Sequence, residues 1–438
     1  MPSLDVNDRL LSRAALHGIA AALTIPIILF PLPEYDFNLT MALLPLAALA
    51  MIRQHYDQEA MWLATSALAG LMACLIGAWL WPGGLARSLL SLMLLLMAPV
   101  YFFLGRELAA TLNPVSIFRS LASFSALFGI AVAGRLLLLG EPLRIYPNGR
   151  STLNATFFGL PIFGTFGVLS LVYVFCIQAF LCCGAILAAG NHWALRAFSA
   201  VGLAALLFLI AASDARSAQA AGLILVAGVG VYAIARTPAP RSVAQVGLSV
   251  VAALAAGYPF LSGSRLVDTF TVAGTIDGAP SSVVARYGVT NGRYEAIELA
   301  LTEIARSPII GVGFGTYGRV SREPVPRRIA LNKSPHIYYL KVLWKGGLLF
   351  ALPFLFFLLR AASPLWSNWP PQSPEIAFAA GAVVTTLLWL NLWWDILNVP
   401  SAGALAFFLL GALAGRSTKS EDKSVVGRPV SQKWRKAA

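Results

Sequence analysis

Long apolar runs recur from one end of the chain to the other, with short polar segments between them. A run of about 20 apolar residues is long enough to cross a bilayer as an α-helix. The pattern therefore predicts an all-α fold, a polytopic membrane helical bundle of about 12 transmembrane helices. The predicted spans cover residues 14–32, 38–52, 61–81, 88–104, 119–139, 166–189, 193–212, 218–235, 242–261, 336–361, 376–396 and 401–415.

One connecting segment, residues 262–335, is far longer than the others, and connections of this length are usually functional. The chain thus divides into helices 1–9 over residues 1–261, a large loop, helices 10–12 over residues 336–415, and a tail over residues 416–438. The tail is polar and basic, so we expect it to be disordered or to lie on lipid headgroups.

Inside the large loop, residues 291–307 have the pattern of an amphipathic helix, which we expect to lie across the top of the bundle. Its apolar stripe consists of Ile297, Ala300, Leu301 and Ile304. Ser307 and Pro308 end the helix. Arg293 lies in the first turn, where a cation is unfavourable beside the helix dipole unless an anionic ligand binds there.

Composition and charge agree with a membrane protein. Of the 438 residues, 58% are hydrophobic and 12% are charged, about half the charged fraction of a soluble protein. The net charge of +13 arises from Lys and Arg in predicted cytoplasmic loops, so we expect membrane lipids and no nucleic acid as partners. The positive-inside rule places both termini in the cytoplasm, which puts the large loop on the outer side of the membrane.

Three polar features lie at the predicted outer ends of spans: SDARSAQAAG, NGRYEAIELALTEIARSPIIGVGFG and SPHIYYLKVLWKGG. They contain Arg216, Arg293 and His336. Each residue also has an ordinary structural interpretation. Arg216 could snorkel to headgroups, Arg293 could be a solvated loop arginine, and His336 could be an interfacial histidine hydrogen-bonded to a neighbour.

The glycines and lysines around these features leave alternatives open as well. The GVGFG run could form a tight turn through positive φ, or it could cradle a phosphate, although no Walker motif follows it. Lys341 and Lys345 fall inside the tenth predicted span, where we expect each to face a wet cavity or to snorkel. The four cysteines lie in apolar runs and favour buried core positions over disulfides or a metal site.

Taken together, the three residues suit a reaction on a lipid-linked phosphate or diphosphate. The two arginines supply forked donors for phosphate oxygens, and a histidine can accept a proton from a hydroxyl group. The sequence has no obvious acidic metal cluster, so we expect neither a metal nor another cofactor, with arginine stabilising the leaving group instead.

The order of these features resembles the bacterial O-antigen ligase family and the related O-antigen and exopolysaccharide polymerases. The matching stretches are ARSA at 215–218, GRYEAIELALTEIARSPIIGVGFG at 292–315 and PHIYYLKVLWKGG at 335–347. The resemblance extends over about residues 205–360. Two positions differ from the family pattern: Ala215 stands where serine is usual, and Ile337 stands where asparagine is common.

The resemblance implies a metal-independent, inverting glycosyltransferase of the bacterial inner membrane with a periplasmic active site. Arg216 and Arg293 would bind the diphosphate of an undecaprenyl-linked glycan donor, and His336 would act as the base or position the acceptor hydroxyl. Supporting residues around them are Asp214, Gly311, Gly313, Gly315 and Tyr338.

Other functions remain open at this stage. The acceptor is lipid A-core in a ligase but a second lipid-linked glycan in a polymerase. A transporter of lipids or solutes would place polar residues and broken helices near the bilayer midplane, whereas the polar features here cluster at one face. A non-enzymatic membrane scaffold would tolerate loss of Arg293 and His336.

Overall fold

The fold was obtained as a computed structural model. It describes residues 6–26, 28–31, 36–80, 85–139, 155–157, 160–162, 166–188, 190–213, 215–236, 238–262, 293–314, 337–367, 373–393, 397 and 400–425. Most of the large loop, residues 263–292 and 315–336, lies outside these ranges.

Helices make up nearly all of the described structure. They are α1 (Val6–Thr24), α2 (Leu44–Arg53), α3 (Gln58–Leu80), α4 (Leu85–Thr111), α5 (Pro114–Leu139), α6 (Phe166–Leu187), α7 (Trp193–Ala212), α8 (Arg216–Arg236), α9 (Pro240–Ser262), α10 (Arg293–Arg306), α11 (Tyr338–Ala362), α12 (Pro364–Ser367), α13 (Pro374–Val384), α14 (Asn391–Trp393) and α15 (Pro400–Val425). A 3₁₀ turn, Met41–Leu43, precedes α2. A π-helix, Thr385–Leu390, continues α13 and is called the π segment below.

Two short antiparallel hairpins accompany the helices. Strands β1 (Ile28–Pro31) and β2 (Asp36–Asn38) pair after α1, and strands β3 (Ala155–Phe157) and β4 (Leu160–Ile162) pair before α6. The first predicted span, residues 14–32, is therefore wrong at its end. Helix α1 stops at Thr24 because Pro26 disfavours helix in the residue before it, and β1 begins four residues after Thr24.

Six helical segments are long and apolar enough to cross a membrane, and six shorter apolar helices accompany them among the described residues. The chain is thus a multi-pass membrane protein with an all-helical bundle. The count of about 12 spans remains a prediction. The last predicted span, 401–415, coincides with the apolar helix Ser401–Gly415. Helix α15 itself continues beyond that apolar part to Val425. No Gly or Pro interrupts residues 416–425, whereas Gly427 and Pro429 follow.

Two helices form the centre of the bundle, because every described side chain in residues 171–188 of α6 and 401–415 of α15 is buried. Helix α15 packs directly against α4. A Cβ atom added to Gly411 would collide with the carbonyl of Phe102, and one added to Gly105 would collide with that of Phe408. Small residues at such a seam let two backbones approach closely, which is the usual basis of helix packing in membranes.

Charged side chains link three elements at one end of the bundle. Arg106 of α4 pairs with Asp57 and lies 3.3 Å from Glu59 at the start of α3. The other carboxylate oxygen of Glu59 lies 3.9 Å from Arg360, near the end of α11. This network joins α3, α4 and α11 at one end of the bundle.

Candidate functional site

Helix α11 is broken at Gly347, which has φ 58° and ψ −169°. In a straight helix, residues 16 positions apart are separated by about 24 Å. The ring centroids of Tyr338 and Phe354, 16 positions apart, are only 6.1 Å apart. The tenth predicted span, residues 336–361, was expected to be one continuous helix, and this expectation is wrong. A sharp bend at Gly347 divides it into two helical pieces.

Residues 308–313 fill the break and replace the helical hydrogen bonds lost there. In an unbroken helix the amides of Leu348 and Leu349 would donate to the carbonyls of Trp344 and Lys345. They donate instead to the carbonyls of Pro308 (2.8 Å) and Ile309 (2.9 Å). The two carbonyls left in α11 are satisfied by the same loop. Trp344 O accepts from Val312 N (3.0 Å), and Lys345 O accepts from Gly313 N (2.9 Å).

We call this four-bond junction between residues 308–313 and residues 344–349 the splice. It matters energetically because each backbone group left unsatisfied within a membrane costs several kcal/mol. It also explains why glycines recur in both stretches. Gly311 and Gly313 have φ 67° and 91°. A Cβ atom on Gly311 would lie 2.5 Å from the amide nitrogen of Gly347, and one on Gly347 would collide with the carbonyl of Ile309.

Three amides of the glycine run already have acceptors. Gly311 N donates to Ser307 O at 3.0 Å, while Val312 N and Gly313 N donate to α11. The tight-turn interpretation of this run therefore matches the observed backbone. A phosphate cradle would have to form elsewhere, because these three N–H groups already have acceptors. Gly315 lies outside the described residues.

Helix α10 occupies Arg293–Arg306, inside the predicted range of 291–307, and it packs on α11. The predicted stripe is wrong at Leu301, which is 53% exposed, whereas Glu303 is buried. A carboxylate is tolerated at that position because the indole Nε1–H of Trp344 donates to Glu303 Oε2 at 2.6 Å. The contact secures the end of α10 to α11 immediately before the splice.

The lysines of α11 also lie inside the protein. Lys341 and Lys345 are both buried. The ammonium group of Lys345 donates to the Phe314 carbonyl at 3.4 Å and to Ser91 Oγ of α4 at 3.5 Å. Snorkelling to the membrane surface, one of the two sequence interpretations, is therefore wrong for Lys345. Its charge instead joins α11, α4 and the chain that leaves the splice.

Helix α8 begins at Arg216, and its first turn is held from two sides. The indole Nε1–H of Trp389, in the π segment, donates to the carbonyl of Ser217 at 3.1 Å. The hydroxyl groups of Tyr173 and Ser217 lie 3.0 Å apart. Gln219 donates to the carbonyls of Ala211 (3.1 Å) and Ser213 (2.7 Å), which closes the turn between α7 and α8.

The start of α11 is attached to the same π segment. Tyr339 donates its hydroxyl to the carbonyl of Leu387 at 2.7 Å. The preceding residue, Tyr338, is fully buried, and its ring contacts those of Tyr339 and Phe354. The first turns of α8 and α11 thus both contact one six-residue segment.

The sequence model of the O-antigen ligase family matches residues 201–355. This range contains α8, α10, the splice and the start of α11. Residues 201–355 are therefore similar to this family, and they are called the matched range below. The match confirms the resemblance to the O-antigen ligase and polymerase superfamily that the sequence motifs indicated. Among curated proteins, no match to the chain is found.

Within the matched range, the structure describes the sequence-predicted site residues unequally. Arg216 and Arg293 are the first residues of α8 and α10, but their side chains are outside the description. His336 and Asp214 also lie outside the described residues. Through the π segment, the structure brings together the first turn of α8, which begins at Arg216, and the first turn of α11, and it joins α10 to α11. Convergence of the three side chains stays a prediction.

Sequence reasoning missed several residues that hold this region together. The most important are Glu303, Trp344, Tyr339, Trp389 and Ser217. Only for Glu303 did the sequence hold a clue to burial, because this charged residue directly precedes Ile304 of the apolar stripe. Trp389 lies outside the matched range, so a helix that follows this range in the chain also binds to it. Among the described residues, no group of three His, Cys, Asp or Glu side chains is placed to hold a metal ion.

Proposed function

We propose that the protein is an O-antigen ligase-type glycosyltransferase. It moves a glycan from undecaprenyl diphosphate to a sugar hydroxyl of lipid A-core, at the periplasmic face of the bacterial inner membrane. The observation that carries the proposal is the family match over residues 201–355, which contains Arg216, Arg293 and His336 in the order expected from the sequence motifs. The multi-pass helical bundle supports a substrate that resides in the membrane.

The proposed reaction is a single displacement at the anomeric carbon. The acceptor hydroxyl oxygen forms a bond to that carbon while the bond from the carbon to the diphosphate oxygen breaks. The electron pair leaves with undecaprenyl diphosphate, and the hydroxyl proton passes to His336 as general base. Attack from the face opposite the leaving group inverts the anomeric configuration.

Arg216 and Arg293 have the other role in this scheme. Their guanidinium groups would stabilise the charge that develops on the departing diphosphate, with planar, bidentate hydrogen bonds suited to phosphate oxygens. No step of this mechanism requires a metal ion. A position for Arg293 at the first residue of α10 supports the scheme, because a helix N-terminus favours a bound anion.

A polysaccharide polymerase of the same superfamily is the second candidate. It would use the same donor chemistry but transfer the glycan to a second lipid-linked glycan. Ile337 favours this alternative, since the ligase-like proteins commonly have asparagine after the histidine. The supporting residues Asp214, Gly311, Gly313, Gly315 and Tyr338 would serve either reaction.

A transporter function is less well supported by the geometry. Broken helices in transporters expose backbone groups that coordinate ions or substrate. In α11 the break at Gly347 is filled by residues 308–313, and the freed amides and carbonyls bond to that loop. The break therefore has the features of a structural junction.

The test uses purified protein in vesicles with an undecaprenyl-diphosphate-linked glycan whose sugars carry a label. Lipid A-core and a second lipid-linked glycan are supplied together as acceptors. We expect label to appear on lipid A-core, with inverted anomeric configuration determined by NMR. Vesicles that expose the periplasmic face should use externally added substrates, whereas vesicles of the opposite orientation should not.

Each alternative gives a different outcome in this assay. Elongation of the lipid-linked glycan alone identifies a polymerase. Movement of labelled lipid across the vesicle membrane without a new glycosidic bond identifies a transporter. Either result contradicts the ligase proposal.

A further inference from the structure

The π segment, Thr385–Leu390, is a local irregularity with a defined hydrogen-bond pattern. π-helices are rare, occur mainly as single turns within α-helices and are frequent at functional sites. Asn391 stabilises this one, since its Nδ2 donates to the Thr386 carbonyl at 2.8 Å and its Oδ1 accepts from Leu397 N at 3.1 Å. The segment is therefore fixed at its end by side-chain bonds.

Two bonds connect this segment to the starts of two other helices. Leu387 supplies its carbonyl to the hydroxyl of Tyr339 at 2.7 Å, and Trp389 donates its indole N–H to the carbonyl of Ser217 at 3.1 Å. Leu387 and Trp389 are two residues apart. The first turns of α8 and α11 are thereby held at a set spacing, and we call this pair of bonds the brace.

The brace is adjacent to two of the proposed catalytic residues. Ser217 directly follows Arg216 in α8. Tyr339 is three residues from His336, and chain connectivity keeps their Cα atoms within about 11 Å of each other. A change in the brace therefore alters the relative placement of the diphosphate-binding arginine and the base.

We infer that Tyr339 and Trp389 are positioning residues, which set the separation between Arg216 and His336 through the carbonyls of Leu387 and Ser217. This inference rests on the proposed glycosyl transfer. Neither residue touches the reacting atoms in this account. Their effect is on geometry, and a misplacement of about 1 Å can lower turnover by about 100-fold.

The first test compares two tyrosine substitutions that remove chemically equivalent bonds. Tyr339→Phe removes the hydroxyl that binds Leu387 O. Tyr101→Phe is the matched control, since Tyr101 is a buried tyrosine that donates to the Thr40 carbonyl at 2.6 Å. We expect similar small losses of thermal stability from both. Only Tyr339→Phe should lower kcat, by about 10-fold to 100-fold, with little change in the KM for donor.

A second variant tests the other half of the brace. Trp389→Phe keeps an aromatic ring but removes the N–H that binds Ser217 O, and it should lower kcat in the same way. Because both bonds act on one separation, the double variant should lose less than the product of the two single losses. Wild-type kcat in Tyr339→Phe and Trp389→Phe would overturn the inference, provided that the wild-type protein transfers glycan.

A structural readout separates failure of the brace from failure of the proposed reaction. Nitroxide labels are attached to Leu223→Cys on α8 and Leu340→Cys on α11; the four native cysteines are buried. We expect Tyr339→Phe to broaden the distance distribution between the labels and Tyr101→Phe to leave it unchanged. An unchanged distribution in Tyr339→Phe would contradict the brace whatever the catalytic activity, and absence of transfer by the wild type would contradict the proposed function alone.

Discussion

The indole of Trp344 donates a hydrogen bond to one oxygen of a buried carboxylate, that of Glu303. Glu303 is 2% exposed, and the bond from Trp344 Nε1 to its Oε2 is 2.6 Å long. A hydrogen bond to a charged group contributes about 1.5–3 kcal/mol to stability, and leaving the acceptor unsatisfied costs a similar amount. The pair therefore secures α10, which begins at Arg293, to the helix that follows His336.

Replacement of Trp344 by phenylalanine tests this contact. Trp344→Phe keeps an aromatic ring but removes the N–H donor, so the free energy of unfolding should fall by about 1–3 kcal/mol, measured by denaturation in mixed micelles. Trp62→Phe is a suitable control, because Trp62 stacks on Phe356 with ring centroids 5.0 Å apart and phenylalanine preserves that stacking. Equal losses in the two variants would mean that the bond to Glu303 is not important.

At the residue scale, the sequence identified side chains by their chemistry but not by their partners. Arg216, Arg293 and His336 stand out because they fall in three polar motifs on the predicted outer side, and because the chain has only four histidines. Tyr339 and Trp389 do not stand out, because aromatic residues are common at membrane interfaces. Their roles depend on which carbonyl lies within hydrogen-bonding distance, and that depends on the packing of helices distant in the chain.

The splice is the main feature at the scale of the elements. Each of its four backbone bonds replaces one that α11 loses at Gly347 or satisfies a loop group that would otherwise lack a partner. Periodicity predicted the apolar run of α11 correctly, but it could not detect the break. Glycine pairs are tolerated in continuous transmembrane helices, and only the contact with residues 308–313 shows that this pair ends one helical piece.

Gly347→Ala tests whether the splice controls the fold of α11. A Cβ at this position would collide with Ile309 O, and φ 58° with ψ −169° is strained for alanine. We expect a loss of more than about 2 kcal/mol in the free energy of unfolding, or failure to recover folded protein after purification. The control is Gly228→Ala in α8, where no atom lies within 4 Å of the added Cβ. Comparable stability of the two variants would contradict the splice.

For the whole molecule, the sequence predicts the architecture and the superfamily. Hydropathy alone indicates a multi-pass helical bundle, and the motifs indicate the superfamily; both are confirmed.

The structure also groups Arg106 and Arg360 around Glu59 at one end of the bundle. The positive-inside rule predicts the cytoplasmic side for both arginines. Gly347 is 13 residues, or about 20 Å along α11, from Arg360. The splice is therefore well separated from that charged end.

The chemistry of the site is the part that hydropathy could not supply. Apolar patterning responds to the bilayer, so it is the same in ligases, polymerases and transporters. The distinction between lipid A-core and a second lipid-linked glycan depends on surfaces that bind the acceptor. Ile337 is the one sequence difference that bears on this choice, and one side chain cannot specify the acceptor.

In the proposed mechanism, His336 accepts the proton of the acceptor hydroxyl while Arg216 and Arg293 hold the diphosphate. The most direct measurement is kcat for glycan transfer by His336→Ala at saturating donor and acceptor, beside wild type and His55→Ala, whose histidine is exposed. We expect kcat to fall by about 100-fold to 10,000-fold in His336→Ala, while thermal stability and donor binding stay at wild-type levels. His55→Ala should keep the wild-type kcat. Transfer by folded His336→Ala at the wild-type rate would contradict the proposed mechanism.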